Sequence, residues 1–300
     1  MSGRLLVHAG LPKTATTTLQ TQYFPCLPPD QIHYLGVRQP RSRGQDALYR
    51  LFVEAVCEGV EAPGLHQGLA QLLDQGLHVV VSEEMFTVST LRGAGWQLKL
   101  QRLAGILERY DHSVLVTVRE PVQASFSYFV ELQSRFRALG LDYVTAVLSD
   151  DAMQIFHYQT LLGCLDANFS PGRVHFIGFD DVVSGDLGRL DRWSGIRHEA
   201  RPAALRPTNQ TRIEGTSVRK GKRVSASDLL KSTALARYAR QMIGNGAMSR
   251  LVKATLRPLD AFGYRVERVI PAPTEVEKEQ VMRYLEGGWR AMQERMQANG

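Results

Sequence analysis

Residues 4–20 read RLLVHAGLPKTATTTLQ. Leu5, Leu6 and Val7 make a short apolar run of the kind a buried parallel strand uses, and Gly10 with Pro12 marks a sharp turn directly after it. A helix is expected at once, with Leu19 beginning its contact with the sheet. Thr14, Thr16, Thr17 and Thr18 place hydroxyls at the turn, either to cap that helix or to bond an oxyanion, and Lys13 stands at the loop tip. Free N–H groups at the positive end of a helix dipole, hydroxyl donors and one ammonium together suit a phosphate or sulfate group. The Walker A pattern GxxxxGK[ST] does not fit, because Gly10 precedes Lys13 by three positions and no glycine stands directly before the lysine. A threonine-rich strand-to-helix turn with no ligand is the plain alternative.

A second stretch, Val114–Phe129, reads VLVTVREPVQASFSYF. A buried strand over Ser113–Val118 ends in Arg119, Pro121 opens a helix running through Phe136, and Ser127 falls about two turns into it. A guanidinium clamps a phosphate through two parallel bonds, and a serine adds a hydroxyl donor. Alone, an arginine at a strand end reads as a salt bridge; two anion-type motifs in order, each closing a predicted strand, read as one site. A third strand, Leu77–Val81 (LHVVV), ends in Ser82, Glu83 and Glu84. Adjacent side chains there point in opposite directions, so at most one carboxylate faces a pocket; the alternative is that both are surface carboxylates capping the next helix.

The two motifs resemble those of the sulfotransferases that use 3′-phosphoadenosine 5′-phosphosulfate (PAPS). PKTATTTLQ resembles their 5′-phosphosulfate loop, usually PKxGTTxL, with Ala15 where glycine is usual; alanine suits that place only if the backbone does not need a positive φ. Arg119, Pro121 and Ser127 match the family's 3′-phosphate motif. The resemblance implies that Lys13, Thr14, Ala15, Thr16, Thr17 and Thr18 hold the 5′-phosphosulfate, and that Arg119 and Ser127 hold the 3′-phosphate. It further implies that Glu84, with Glu83 as the alternate, is the base that takes the acceptor's proton, as in the carbohydrate-acting branch. PAPS is then a co-substrate, no metal is needed, and the acceptor is a hydroxyl of a carbohydrate or glycolipid.

The 300 residues, 44% hydrophobic, suffice for a sizeable core. A net charge of +6 calls for anionic ligands but not for nucleic acid, and no apolar run is long enough for a membrane span. The first strand begins within a few residues of Met1, leaving no room for a cleavable signal, so a cytoplasmic location is expected. Cys26, Cys57 and Cys164 are odd in number and widely spaced; they read as reduced, buried, small apolar residues.

Helical spacing is expected over Asp46–Val60, Leu65–Leu73, Trp96–Tyr110, Tyr143–Leu148 and Asp151–Leu165, with a fourth strand at Val174–Ile177 and an exposed loop at Gln39–Gly44. Strands alternating with helices predict an α/β fold with a three-layer parallel sheet, and the resemblance implies a P-loop-like nucleotide core in it. Ligands bind such sheets at the carboxyl ends of the strands, which places Lys13, Glu83, Glu84 and Arg119 on one edge. The expected organisation is a single domain, 1–195 forming the α/β core and 196–300 a basic loop and C-terminal helices packing on it. Arg197–Arg223 reads as loop, with helices near Ala226–Ile243 and Thr274–Met296; the latter opens on a capping box, Thr274 with Glu277, and buries Val281, Leu285, Trp289, Met292 and Met296. Within the basic stretch Asn209–Thr211 resembles a short polar motif of bacterial-looking sulfotransferases, and Arg219–Gly221 resembles the RKG of the cytosolic branch without its usual companions. A P-loop-type small-molecule kinase and a non-catalytic anion or nucleic-acid binding protein are the competing functions.

Overall fold

The computed structural model describes residues 3–37, 45–90, 93–195, 205, 213–214, 217–224 and 264–298. The expected loop at Gln39–Gly44, the helix at Ala226–Ile243 and the motif at Asn209–Thr211 lie outside the described residues. The chain divides into two compact units, residues 1–210 with 273–300, and residues 211–272.

The larger unit is built on a five-stranded sheet of β1 (Leu5–His8), β2 (Ile32–Gly36), β3 (His78–Ser82), β4 (His112–Val118) and β5 (Val174–Gly178), in the order β2-β3-β1-β4-β5. Every pairing is parallel. β1 and β4 are neighbours whose next strands in the chain lie on opposite sides of the pair, so the strand order reverses between them, the place at which sheets of this kind receive ligands. Alternation along the strands splits the core. Leu6, Val80, Leu115 and Ile177 face one side, packed with Leu19, Tyr23, Phe24, Val182, Leu190 and Trp193.

The first connection is helical from α1 (Thr16–Thr18) through a π-turn at Leu19–Tyr23 to a tight turn at Phe24–Cys26. Between β2 and β3 lie α2 (Ala47–Cys57), N-capped by the Asp46 carboxylate, and α3 (Pro63–Asp74); α4 (Trp96–Leu107) joins β3 to β4. After β4 come α5 (Pro121–Ala138), α6 (Tyr143–Ser149) and α7 (Tyr158–Asn168), and after β5 come α8 (Phe179–Ser184) and α9 (Gly188–Ser194). Strand β2, unmarked in sequence because His33 and Tyr34 interrupt its apolar run, is the one strand of this sheet that periodicity missed. The cysteines differ from expectation: Cys26 is exposed, and Cys57 and Cys164 are half-buried.

The C-terminal helix α10 (Glu275–Ala298) belongs to the same unit, and its capping box forms, Thr274 N donating to Glu277 Oε2 at 2.7 Å and Glu277 N to Thr274 Oγ1 at 3.2 Å. It buries Val281, Leu285, Gly288 and Met292, whereas Trp289 and Met296 are only half-buried. The difference comes from how close α10 approaches the start of α7: a Cβ on Gly288 would lie 2.5 Å from Gln159 N. The absent side chain lets the backbones touch and leaves Trp289 beside the Tyr158 ring, 5.8 Å between centroids.

In the smaller unit β6 (Ile213–Glu214), β7 (Ser217–Val224) and β8 (Tyr264–Pro271) form an antiparallel sheet in that order. Residues 217–224 are therefore strand, where a charged loop was expected. The pairing of β7 with β8 along eight positions supplies backbone partners that a run of arginines and lysines does not advertise.

Gly288→Ala forces α10 away from α7 and is expected to destabilise the protein by about 1–3 kcal/mol, read as a lowered urea midpoint with unchanged slope.

Candidate functional site

The loop after β1 has a backbone that sequence patterning did not foresee. Lys13 and Ala15 both have φ of +67°, in the left-handed region. Position 15 therefore does need the positive φ that suits glycine, and the condition under which alanine would sit there without strain is not met. Each left-handed non-glycine residue costs roughly 1–2 kcal/mol. Between them Thr14 is fully buried, its Oγ1 donating to Leu11 O at 2.7 Å and lying 2.6 Å from Thr117 Oγ1 of β4. Thr16 is also buried, 3.4 Å from the same Leu11 carbonyl, and its side chain fills the place a Cβ on Gly10 would take. Thr18 is buried and Thr17 half-exposed. The hydroxyls of Thr14 and Thr16 are thus turned inward to hold the loop, and what the loop presents outward is backbone. Ala15 offers no side-chain cap, so the first N–H groups of α1 have no capping partner on that residue.

Lys13 projects its ammonium to Glu131 Oε2 at 3.2 Å, a partner one helical turn beyond Ser127 on α5. Arg119, at the end of β4, reaches back toward the same loop: Nη1 lies 3.4 Å from Lys13 O, Nη2 donates to Gln123 Oε1 at 3.2 Å, and the guanidinium stands 4.1 Å above the Phe179 ring. Its Nε is buried with no hydrogen-bond partner among the described residues. Tyr158, fully buried, donates its hydroxyl to Arg119 O at 2.6 Å and pins the end of the strand. Ser127 is buried in α5, whose N-terminus is capped by Glu120 through Val122 N and Gln123 N. Phe126 and Tyr128 are core residues.

Glu83 and Glu84 part company just beyond the end of β3, Glu83 with extended backbone and Glu84 already in the turn that follows. Glu83 is 1% exposed; its Oε1 accepts from Met85 N at 2.8 Å and its Oε2 accepts from the Tyr49 hydroxyl. Glu84 opens the short turn Glu84–Thr87 and is half-exposed. Its charge, with that of Glu131, adds to burial in pushing the Tyr128 phenol far above its ordinary pKa, so Glu84 lies near the part of α5 that carries Tyr128 and Glu131. Thr87 ties this turn to the loop after β1, donating to Gly10 O at 2.7 Å.

The sheet therefore carries Lys13, Glu83 with Glu84, and Arg119 at the carboxyl ends of three neighbouring strands, β1, β3 and β4. Thr117, Glu131, Thr87, Tyr158 and Phe179 are site neighbours that motif reading missed or left among the core. Thr117 was signalled only by a hydroxyl in an apolar strand, and Glu131 only by its helical spacing from Ser127. Beneath the loop, His8 is fully buried, with Nδ1 2.8 Å from Ser82 Oγ, and burial pushes its pKa down to about 3. No group of three or more His, Cys, Asp or Glu suited to a metal occurs among the described residues.

No protein-family model and no curated protein matches the chain. Among solved structures, a sulfotransferase from Alicyclobacillus acidocaldarius is similar at 13% identity, covering 70% of this chain and 87% of that one, with a TM-score of 0.44. The chemistry of this site is therefore read from its own residues.

Ala15→Gly relieves left-handed strain of roughly 1–2 kcal/mol and gives back about half of it as unfolded-chain entropy, so a net gain of about 0.5–1 kcal/mol is expected in urea unfolding. His8 has a folded pKa below its unfolded one, so the unfolded chain binds the extra proton and stability falls as pH drops from about 6.5 toward 3. By pH 5 this amounts to about 2 kcal/mol, and His8→Gln should show a shallower pH dependence of its urea midpoint between pH 7 and 5.

Proposed function

We propose that this protein transfers a sulfonate group from PAPS to a hydroxyl of an acceptor, of carbohydrate or glycolipid type. One observation carries the reading: two motifs 106 residues apart, each resembling a half of the PAPS site, meet in space, with the Arg119 guanidinium against the carbonyl of Lys13. A ligand with one anionic group on the loop and another at the end of β4 spans that junction. The buried Nε of Arg119, without a hydrogen-bond partner among the described residues, suits a phosphate oxygen there.

In this reading the backbone of Lys13, Thr14, Ala15, Thr16, Thr17 and Thr18 cradles the 5′-phosphosulfate, while Arg119 and Ser127 receive the 3′-phosphate. Glu84 is the base. Glu83 is unsuited because both its oxygens are engaged and it is closed off from solvent. The acceptor oxygen attacks sulfur as its proton passes to Glu84; the new S–O bond forms as the bond from sulfur to the 5′-phosphate oxygen breaks. Negative charge then grows on that departing oxygen, where the Lys13 ammonium stabilises it. For this Lys13 exchanges Glu131 for the donor, a small step because a half-exposed ion pair is worth only about 0–1 kcal/mol. No step calls for a metal.

Calorimetric titration with 3′,5′-bisphosphoadenosine, beside ATP and 5′-AMP, tests the reading. Micromolar or tighter binding that requires the 3′-phosphate is expected, weakened at least about tenfold in Lys13→Ala and in Arg119→Ala, each removing a charged bond of about 1.5–3 kcal/mol. Glu84→Gln should bind as wild type yet turn over radiolabelled donor about a hundredfold more slowly. Preference for ATP would replace the proposal with a kinase, and binding of no nucleotide would leave an anion-binding surface.

A further inference from the structure

Lys99 lies on α4, below the site, and is 1% exposed. Burying an ammonium costs several kcal/mol unless its protons are satisfied, and a leucine at this place would pack against the core at no such cost. Desolvation lowers the Lys99 pKa, and the negative charge of Glu83 is among the influences opposing it. No carboxylate pairs with the ammonium directly among the described residues. Its Nζ instead donates to two backbone carbonyls, Met85 O at 3.0 Å and Val88 O at 2.6 Å.

Those carbonyls bracket the turn that carries Glu84. The turn is also anchored by the Glu83 carboxylate on Tyr49 and Met85 N, by the Thr87 hydroxyl on Gly10 O, and by the Cys57 thiol, 3.8 Å from Met85 O. The first fixes its entry, the second ties it to the loop of Lys13 and the third reaches Met85 alone; among the described residues Lys99 is the side chain that bonds both the second residue of the turn and the residue after it. With Glu83, Phe86 and Thr87 buried, Glu84 and Met85 are the parts left toward solvent.

We propose that Lys99 is a positioning residue for sulfonate transfer, its buried ammonium clamping the carbonyls of Met85 and Val88 so that the Glu84 carboxylate is held at the loop of Lys13. The inference rests on Glu84 being the base. A side chain that sets a base within the reacting distance governs rate and not donor affinity, since a displacement of about 1 Å costs on the order of a hundredfold in turnover.

The test compares wild type, Lys99→Met, Glu84→Gln and the double variant, with 3′,5′-bisphosphoadenosine binding by calorimetry and turnover of radiolabelled PAPS to bisphosphoadenosine, water or a screened hydroxyl compound serving as acceptor. Lys99→Met is expected to bind the nucleotide within about twofold of wild type while kcat falls about ten- to hundredfold with the donor KM unchanged. Added to Glu84→Gln it should cost nothing further, because it acts through that residue. Lys99→Gln, which keeps a donor, should recover part of the rate, and it supplies the same comparison if Lys99→Met does not fold. Wild-type turnover in Lys99→Met, parallel losses of affinity and rate, or an additive loss in the double variant would each overturn the inference while leaving the proposed function standing. Failure of wild type to bind bisphosphoadenosine, or full activity in Glu84→Gln, would remove the base and the inference with it.

Discussion

The buried contact between the hydroxyls of Thr14 and Thr117 is what the candidate site depends on. It fastens the loop leaving β1 to the neighbouring strand β4 at the point where the loop backbone is least favourable, between two left-handed residues. Two such residues store roughly 2–4 kcal/mol, and a loop left to itself would relax out of that shape. With Thr14 bonded to both Leu11 O and Thr117, relaxation would strand buried hydroxyls, which costs about as much as the strain it would relieve. The same strand then delivers Arg119 two residues beyond Thr117, so one contact sets the distance between the two motifs.

Around that junction the protein uses buried polar bonds where most of its core is apolar. Glu83, Tyr49, Thr87 and Lys99 hold the Glu84 turn, and Tyr158 holds the end of β4. These are groups whose bonds are strong because water is excluded, and they leave Lys13, Glu84 and Arg119 partly exposed on a rigid base. Helix α10 takes part from the far end of the chain, since its Gly288 packs on the start of α7, where Tyr158 stands. The rigidity of the site is thus assembled from segments that share no local sequence.

The strands β1, β3, β4 and β5 were legible because each is a β-branched or leucine-rich run closed by a turn signal, and α2, α3, α4 and α6 because their apolar residues recur at helical spacing; α5 was marked by Pro121, and α7 begins at Tyr158 where a start at Asp151 was expected. β2 was not, because an edge strand need bury only one face and His33 and Tyr34 break the run. Of the candidate site, Lys13, Arg119 and the glutamate pair could be found from motifs, since each stands at a strand end. Glu131, Thr117 and Lys99 could not, because their roles come from what lies opposite them and not from their neighbours in the chain.

By itself the sequence determined the alternation of strand and helix, the two anion-type motifs and their order, since hydrophobic period and turn chemistry are local properties. Tertiary structure alone decided that the two motifs touch and which of Glu83 and Glu84 is turned toward solvent. It alone also revealed that Ala15 occupies a glycine's conformation and that residues 217–224 pair as strand. The reason is the same in each case: strand register, burial and a backbone dihedral are settled by partners tens to more than a hundred residues away, and a single chain read in order does not carry their positions.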